Sequence, residues 1–463
     1  MSPSKDAPLP TFARGLWVKG GGDVQMEPPV DLGDSWEVMS FDDLMNEGIV
    51  LRPGKGCYDR AWVDHPFGHD ALSWLSAMWR LLRPDAPLTL RYLDGPNYLP
   101  DHPRARGLPS LMALAQGAGY VLQPLTNALE EDGFLQLTLL RSDRSRYRTQ
   151  NAGILDATSY RNLFHQVFHT EMAQSFWDWK YHHGRGFSVV VHRADGALVA
   201  HYGGMLRDVL LFGRHVKALQ VGDVMVTPKE RGVLTRRGAF FEAASAFQEA
   251  YFGCDHRFKV AYGFPMRRAM VTAETHGLYR EVDQVTELEW PAKADLGWFK
   301  PRIKSLVGQL PHQKTLDQLW FAMAKALNSH LLVIRDKAYL RYRYLEHPHH
   351  RYEVLLVLDA ITRRPLSLAV VRRDEDQLRL MDLVGHPLHI AATIKSLRDL
   401  ASRWGCSRLT AWVATSQRPF FKTEDAIERV TEIVIPERAL NDDSSWRRVY
   451  QRWWITMGDT DFL

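Results

Sequence analysis

The chain has 463 residues, 45% of them apolar and 24% charged, with a formal net charge of +4 and an isoelectric point near 8.8. These values describe a folded globular protein long enough for about three domains and exclude a disordered or fibrous chain. Positive charge is scattered rather than gathered in one block, which favours anionic ligands weakly and gives no ground for a nucleic-acid partner. Cys57, Cys254 and Cys406 lie far apart and fit neither a disulfide framework nor a zinc site; no metal is expected, and a reducing cytoplasm is the expected setting. The opening MSPSKDAPLPTFARG lacks the apolar core of a secretory signal. No run of about 18 apolar residues occurs, so no membrane span is expected.

Residues 1–34 read as an N-terminal tail, and 35–145 as alternating short strands and helices, hence an α/β module. DALSWLSAMWRLL, Asp70 to Leu82, has the apolar spacing of an amphipathic helix. PLTLRYL, Pro87 to Leu93, alternates like a strand, LPSLMALAQGAGYVL gives a helix ending at Gly117 or Gly119, and FLQLTLLR, Phe134 to Arg141, is a further strand. The stretch DRAWVDHPFGHDALSWLSAMWRLLRPDAPLTLRYL resembles the second half of a class I, SAM-type methyltransferase domain. That family's cofactor site needs a glycine-rich turn after a first strand and a carboxylate on the second. Upstream stands only GGGDVQMEP, Gly20 to Pro28, with no apolar strand read before it, so the module is expected to be a truncated Rossmann-like unit that binds no SAM and serves packing or contacts with other pathway proteins. RSDRSRYRTQN, Arg141 to Asn151, is polar and basic and reads as a linker.

Between 150 and 292 a helix, DATSYRNLFHQVFHTEMAQSFWDWKYHHGRG, is followed by strands with turn signals at Ala194-Asp195-Gly196 and near Gly213, an arginine-rich loop, the helix GAFFEAASAFQEAY and the strand RFKVAYGFP. This order resembles a GNAT acyltransferase. In that family a V-x-V-x-P strand leads into a loop of type [QR]-x-x-G-x-[GA] before a helix, and the helix N-terminus offers unpaired N–H groups to the pyrophosphate of acyl-CoA. Here the strand is DVMVTP, Asp223 to Pro228, and the loop is KERGVLTRRGAFF. Counted from Arg231 the motif breaks, with Leu234 and Arg236 where glycines belong. Counted from Thr235 it reads Thr235-Arg236-Arg237-Gly238-Ala239, which puts Gly238 just before the helix. The resemblance implies acyl-CoA, such as acetyl-CoA, as donor, held by Met225 and Val226 of the strand and by Arg231, Thr235, Arg236, Arg237, Gly238 and Ala239. A solvated basic loop is the plainer alternative.

WDWKY, Trp177 to Tyr181, and GFPMRRAMVTAETHGLY, Gly263 to Tyr279, resemble signatures of a GNAT subgroup associated with surface polysaccharide and glycoconjugate biosynthesis. Met266 stands where that subgroup has Asn, and Ala273 where many GNAT enzymes carry the Tyr that protonates the leaving thiolate. Transfer to an amine needs a base and an acid. Asp223, on the strand before the loop, is the candidate base, with a paired structural carboxylate as the alternative. Tyr262 and Tyr279 are candidate acids, and His182, His183 and His201 are further candidates for the base.

Residues 293–463 repeat the middle region. Trp179, Lys180 and Tyr181 align with Tyr342, Arg343 and Tyr344, and Asp223 aligns with Asp382, the separations being 42 residues (223 minus 181) and 38 (382 minus 344). Between Val384 and the next helix this copy has only Gly385-His386-Pro387, so it is expected to bind no CoA and to pack against the first copy, completing a cleft for the acceptor. The ending WWITMGDTDFL resembles that of the same subgroup; Asp459 and Asp461 could meet an amine or sugar hydroxyls, though a strand with an acidic tail is the simpler reading. The expectation is a tandem GNAT-like N-acyltransferase acting on an amine of a sugar or biosynthetic intermediate, with CoA or an acyl carrier protein bearing the thioester. A non-catalytic scaffold built of degenerate domains is the rival class.

Overall fold

The computed structural model describes residues 15–19, 36–41, 43–44, 58–64, 71–93, 107–123, 134–143, 145–152, 157–231, 238–254, 258–295, 297, 299–423, 425–438 and 445–460. The chain is a mixed α/β protein. In order it forms β1 (Gly15–Lys19), β2 (Trp36–Ser40), β3 (Arg60–Asp64), α1 (Ala71–Leu81), β4 (Pro87–Leu93), α2 (Gly107–Gly117), β5 (Tyr120–Leu122), β6 (Phe134–Arg141) and β7 (Tyr147–Asn151). Then come α3 (Ala157–Phe168), α4 (Gln174–Tyr181), β8 (Gly186–Arg193), β9 (Leu198–Leu211), β10 (Arg214–Val226), α5 (Ala239–Gln248), β11 (Val260–Tyr262), α6 (Arg267–Thr275) and β12 (Tyr279–Pro291). The remainder is β13 (Arg302–Ser305), α7 (Gln313–Ala326), β14 (Leu331–Val333), β15 (Glu353–Leu358), β16 (Pro365–Asp374), β17 (Gln377–Gly385), α8 (Ile390–Arg403), β18 (Arg408–Ala414), β19 (Ile427–Arg438) and β20 (Trp453–Trp454). Two compact units result, one of residues 1–169, 188–202 and 225–257, the other of 170–187, 203–224 and 258–463.

In the first unit six strands form one sheet in the order β2-β1-β3-β4-β6-β5. β2, β1, β3 and β4 run parallel, and β6 runs antiparallel between β4 and β5. The expected elements at 70–82, 87–93 and 134–141 appear, because Leu72, Leu75 and Met78 make a buried helical stripe and Leu88 and Leu90 alternate inward. Two expectations are corrected. The stretch read as a tail contains β1, whose Leu16, Trp17 and Val18 are all buried, the unbroken apolar run of a parallel strand covered on both faces. A strand therefore does precede Gly20, and the absence of one no longer counts against the methyltransferase resemblance; the glycines themselves lie outside the described residues. At the ends of β1 and β3, Trp17 Nε1 and Trp62 Nε1 both donate to the buried carboxylate of Asp64, at 2.6 and 2.7 Å.

The presumed linker contains β7, paired antiparallel with β8 from Tyr147↔Arg193 to Asn151↔Val189. Its pattern is two-residue alternation with polar groups doing the inward work: Tyr147 and Thr149 are buried while Arg148 between them is not. α1 and α2 pack on each other, and both pack against the helical turn Glu249–Cys254 that prolongs α5.

In the second unit, seven strands form a sheet in the order β13-β15-β16-β17-β18-β12-β19. β12 falls at the end of the middle region in sequence, yet it bonds along its length to β18 and β19, so it belongs to the sheet built by the strands that follow it. β17 pairs parallel with β18 only from Gln377↔Arg408 to Leu380↔Ala411. Beyond that point its residues stay buried through Gly385, because the turn Met457–Asp459 packs against both strands. Gly458 makes this fit possible: a Cβ there would stand 1.9 Å from the Tyr344 hydroxyl and 2.9 Å from the Met381 carbonyl oxygen. Gly458→Ala is expected to cost about 1–3 kcal/mol through overpacking, read as a lower urea midpoint with an unchanged m-value.

Candidate active site

In the second unit, helix α4 delivers two side chains to one carboxylate on β10. Lys180 Nζ lies 2.6 Å from Asp223 Oδ2, and the Tyr181 hydroxyl donates to the same oxygen at 2.6 Å. The lysine side chain is 2% exposed and the aspartate side chain 9%. Adjacent residues can meet one acceptor because the helix ends there, at His182, whose backbone is extended. Asp223 itself adopts φ +49°, a left-handed conformation that costs a non-glycine residue on the order of 1 kcal/mol and often marks a functional position.

Asp223 sits where β10 loses its neighbour. The parallel pairing with β11 runs from Ala218↔Val260 to Gln220↔Tyr262, and the next residues of β10, Val221 to Val224, are each half-buried. Gly263, directly after β11, approaches the Val221 carbonyl so closely that a Cβ would lie 3.1 Å from it. A strand that runs past its last parallel pair, a left-handed residue and a buried carboxylate are the elements from which an extended ligand could be held along the strand and a proton moved beside it.

In the first unit, the short helical turn Pro228–Glu230 opens the loop before α5. Glu230 is buried and receives hydrogen bonds from Arg146 (2.8 Å), Arg193 (3.4 Å) and the Tyr147 hydroxyl. Burial and the Glu230 carboxylate push the Tyr147 phenol up to about 12. Sequence reasoning assigns Glu230 no role, and its partners Arg146, Tyr147 and Arg193 lie far from it in the chain. Arg231 donates to the carbonyls of Val226 (3.0 Å) and Val167 (3.2 Å), a contact that ties the loop to the end of α3. Thr235, Arg236 and Arg237 lie outside the described residues. Gly238 precedes α5 in an extended conformation with no side-chain cap, and Ala239 is buried.

Of the other expected residues, Met225 is buried and Val226 half-buried. Tyr262 is fully buried, packed between the rings of Phe264 and Trp453, and Tyr279 opens β12 opposite Arg438. His201 packs edge-on against Tyr160, and His182 lies 3.2 Å from Asp178. Asp461 lies outside the described residues. The sequence motif WDWKY assigns Lys180 no role. A lysine between buried Trp177 and Trp179 and a tyrosine is the available signal, because such an ammonium requires a carboxylate partner.

A second cluster has the same outline. The Tyr344 hydroxyl donates to Asp382 Oδ2 at 2.8 Å, across a separation of 38 residues where Tyr181 and Asp223 span 42. The cation differs: Arg335 Nε bonds Asp382 Oδ1 at 2.7 Å, and its Nη2 bonds Asp459 Oδ2 at 2.7 Å. Arg343 turns instead to the carbonyls of Gly458 and Thr460, each at 2.9 Å. Asp459 is thus part of a buried ion cluster. Burial raises its carboxyl, against the Arg335 guanidinium.

The segments that carry the two tyrosines also meet. Trp179 Nε1 donates to the Tyr342 carbonyl at 3.0 Å, the Tyr342 hydroxyl donates to the Trp179 carbonyl at 3.1 Å, and the rings stack 4.8 Å apart. His347 packs on Trp179 at 4.6 Å, and its Nδ1 accepts from the backbone N–H groups of His349 and His350. Burial, then the Arg343 guanidinium and the neighbouring histidines, push the His347 ring down to about 3. The unfolded ring, near 6.5, binds a proton first, so this contribution to stability is complete above about pH 6.5 and declines as pH falls toward 3. His347→Asn keeps an acceptor for the two N–H groups and removes the titration. It is expected to flatten the fall in urea midpoint between pH 6.5 and 4 relative to the wild type.

Among the described residues no group of three or more His, Cys, Asp or Glu is placed to hold a metal ion, and no helix is long and apolar enough to cross a membrane. Residues 148–244 match the family described as acetyltransferase (GNAT) domain. No curated protein sequence matches the chain. Among solved structures, a probable N-acyltransferase of unknown function from Enterococcus faecalis is 12% identical, with a TM-score of 0.49 over 65% of this chain and 74% of that one. A GCN5-related N-acetyltransferase from Kribbella flavida is 16% identical, with a TM-score of 0.47 over 65% and 73%. The N-myristoyltransferase of Saccharomyces cerevisiae with bound myristoyl-CoA is 10% identical, with a TM-score of 0.38 over 62% and 83%. Over residues 148–244 the chain is thus similar to GNAT acetyltransferase domains.

Proposed function

We propose that the chain is a tandem GNAT-like N-acyltransferase in which the middle region carries the reaction and residues 293–463 are a second copy that has lost its donor site. The carrying observation is the contrast between two strand ends. Beyond its last pair with β11, β10 remains half-buried from Val221 to Val224. Beyond its last pair with β18, β17 is buried throughout and covered by the Met457–Asp459 turn. An acyl-CoA arm therefore has a strand to lie along in the first copy and none in the second. The matching Tyr–Asp hydrogen bonds support the doubling, and so does the direct passage from β17 through Pro387–His389 into α8, which leaves no room for a phosphate-binding loop.

In this reading the backbone of Met225 and Val226 continues the donor strand. The loop with Arg231, Thr235, Arg236, Arg237, Gly238 and Ala239 takes the pyrophosphate at the helix N-terminus, and Asp223 accepts the proton of the acceptor amine. Tyr262 and Tyr279, packed in the core and on β12, fit an acid role less well. The acceptor is an amine of a small molecule, such as an amino sugar or an intermediate of surface polysaccharide biosynthesis. The second copy completes the cleft around it, and a carrier protein is the alternative source of the thioester. The N-terminal module, whose α1 and α2 pack against the turn that prolongs α5, buttresses the donor helix and offers a surface to other pathway proteins; SAM is not its expected ligand.

Calorimetry and thermal shift with acetyl-CoA, longer acyl-CoAs, free CoA and SAM test this. One acyl-CoA is expected to bind per chain, and saturation at about 100 times the dissociation constant should add about 2.7 kcal/mol of stability. The double variant Arg236→Ala, Arg237→Ala should lose that binding and keep its melting temperature without ligand. Two equivalents bound, or unchanged affinity in the double variant, would refute the assignment of the loop.

A further inference from the structure

We propose that Lys180 is the acid of the acyl transfer and works with Asp223 as a self-resetting proton pair; this rests on the acyl-CoA reading of β10. A GNAT-type transfer leaves a thiolate that has to be protonated, and the position at which many such enzymes carry a tyrosine is Ala273, buried on α6. Lys180 is a buried cation that meets β10 beyond its last pair with β11: its Nζ lies 2.6 Å from Asp223 Oδ2, over the face of Phe176 at 5.4 Å and near the Tyr181 ring at 5.9 Å.

The proposed second copy supplies the contrast. There the aligned position is Arg343, which binds tail carbonyls, and the carboxylate of Asp382 is paired with Arg335. A guanidinium does not give up its proton in a protein, whereas an ammonium held in a desolvated pocket does. The copy with the closed strand thus has a cation that cannot exchange a proton, and the copy with the open strand has one that can. For structure alone either cation satisfies a buried aspartate.

The step balances within the pair. The acceptor nitrogen attacks the thioester carbonyl carbon, the new C–N bond forms, and the nitrogen loses its proton to Asp223. The tetrahedral adduct collapses, the C–S bond breaks, and Lys180 Nζ gives a proton to the departing sulfur. Neutral lysine and protonated aspartate then exchange that proton directly across their contact, which restores both for the next turnover. Tyr181, donating to the same oxygen, keeps Asp223 oriented toward the lysine and is a positioning residue.

Free CoA bound to the protein provides a direct readout, because a thiol beside an ammonium ionises more readily. Thiolate absorbance of bound CoA, with desulfo-CoA as blank, is expected to titrate about one pH unit below that of free CoA in the wild type, in Lys180→Arg and in Tyr181→Phe, and to lose that shift in Lys180→Gln. In Asp223→Asn with Lys180→Gln, which removes both charges and guards against misfolding, the shift is lost as well. Release of CoA from acetyl-CoA with hydroxylamine as the surrogate amine should fall about 10²–10⁴-fold in Lys180→Arg, the usual worth of a general acid, with little change in KM. An unshifted thiol in CoA-bound wild type, or full turnover in Lys180→Arg, overturns the role of Lys180 and leaves the acyl-CoA reading standing. Failure of the wild type to bind CoA overturns both.

Discussion

A carboxylate removed from water has to be given a cation or several donors, or the fold loses more than the buried pair could return. Asp223 and Asp382 impose that demand on the second unit. Each lies on a strand whose parallel partner has just ended, and each receives a tyrosine hydroxyl from a helical turn. The demand fixes α4 against β10 and the segment around Tyr344 against β17. What answers it electrically differs: a lysine adjacent in sequence to its carboxylate's other partner in one case, and in the other an arginine shared with the carboxylate of Asp459.

The contact between Trp179 and Tyr342 gives that similarity a geometric form. Each side chain donates to the main-chain carbonyl of the other residue, and the two rings stack. A reciprocal contact of this kind is what a local two-fold relation between equivalent segments produces, as at an isologous interface. The pairing of β12 with β18 and β19 goes the same way, since a strand that leaves its own region to complete a neighbouring sheet binds the two regions more firmly than side-chain packing alone.

Much of this order was legible in the residues. Apolar stripes with helical or alternating spacing pointed to α1, β4 and β6, and the alignment of Trp179-Lys180-Tyr181 with Tyr342-Arg343-Tyr344 put the two tyrosines and the two aspartates in register. Legibility failed where the inward residues were not apolar or were too few. β7 carries its pattern in Tyr147 and Thr149 between arginines, and so looked like a linker. β1 has three buried apolar residues before a lysine and glycines, too short a signal to separate from a tail. Lys180 and Arg335 were hidden for a different reason: sequence shows charge, and only the fold shows that the charge has been desolvated and must therefore be paired. The partners of Glu230 are scattered along the chain at 146, 147 and 193, and no local pattern announces them.

The strand end that follows an interrupted parallel pair is treated differently at β10 and at β17. Backbone N–H and C=O groups released by a missing neighbour need water, side chains or another strand. At β17 the chain supplies its own solution: Gly458 slips between the Tyr344 hydroxyl and the Met381 carbonyl, where no side chain could fit, while Arg335 and Arg343 hold the flanking residues down. That arrangement excludes water and any ligand together. At β10 the residues from Val221 to Val224 stay half-buried past the last pair with β11. The same interruption of parallel pairing is thus covered by a turn at β17 and left half-buried at β10. The difference rests on whether the Met457–Asp459 turn packs over the strand, and the buried lysine stands at the half-buried one.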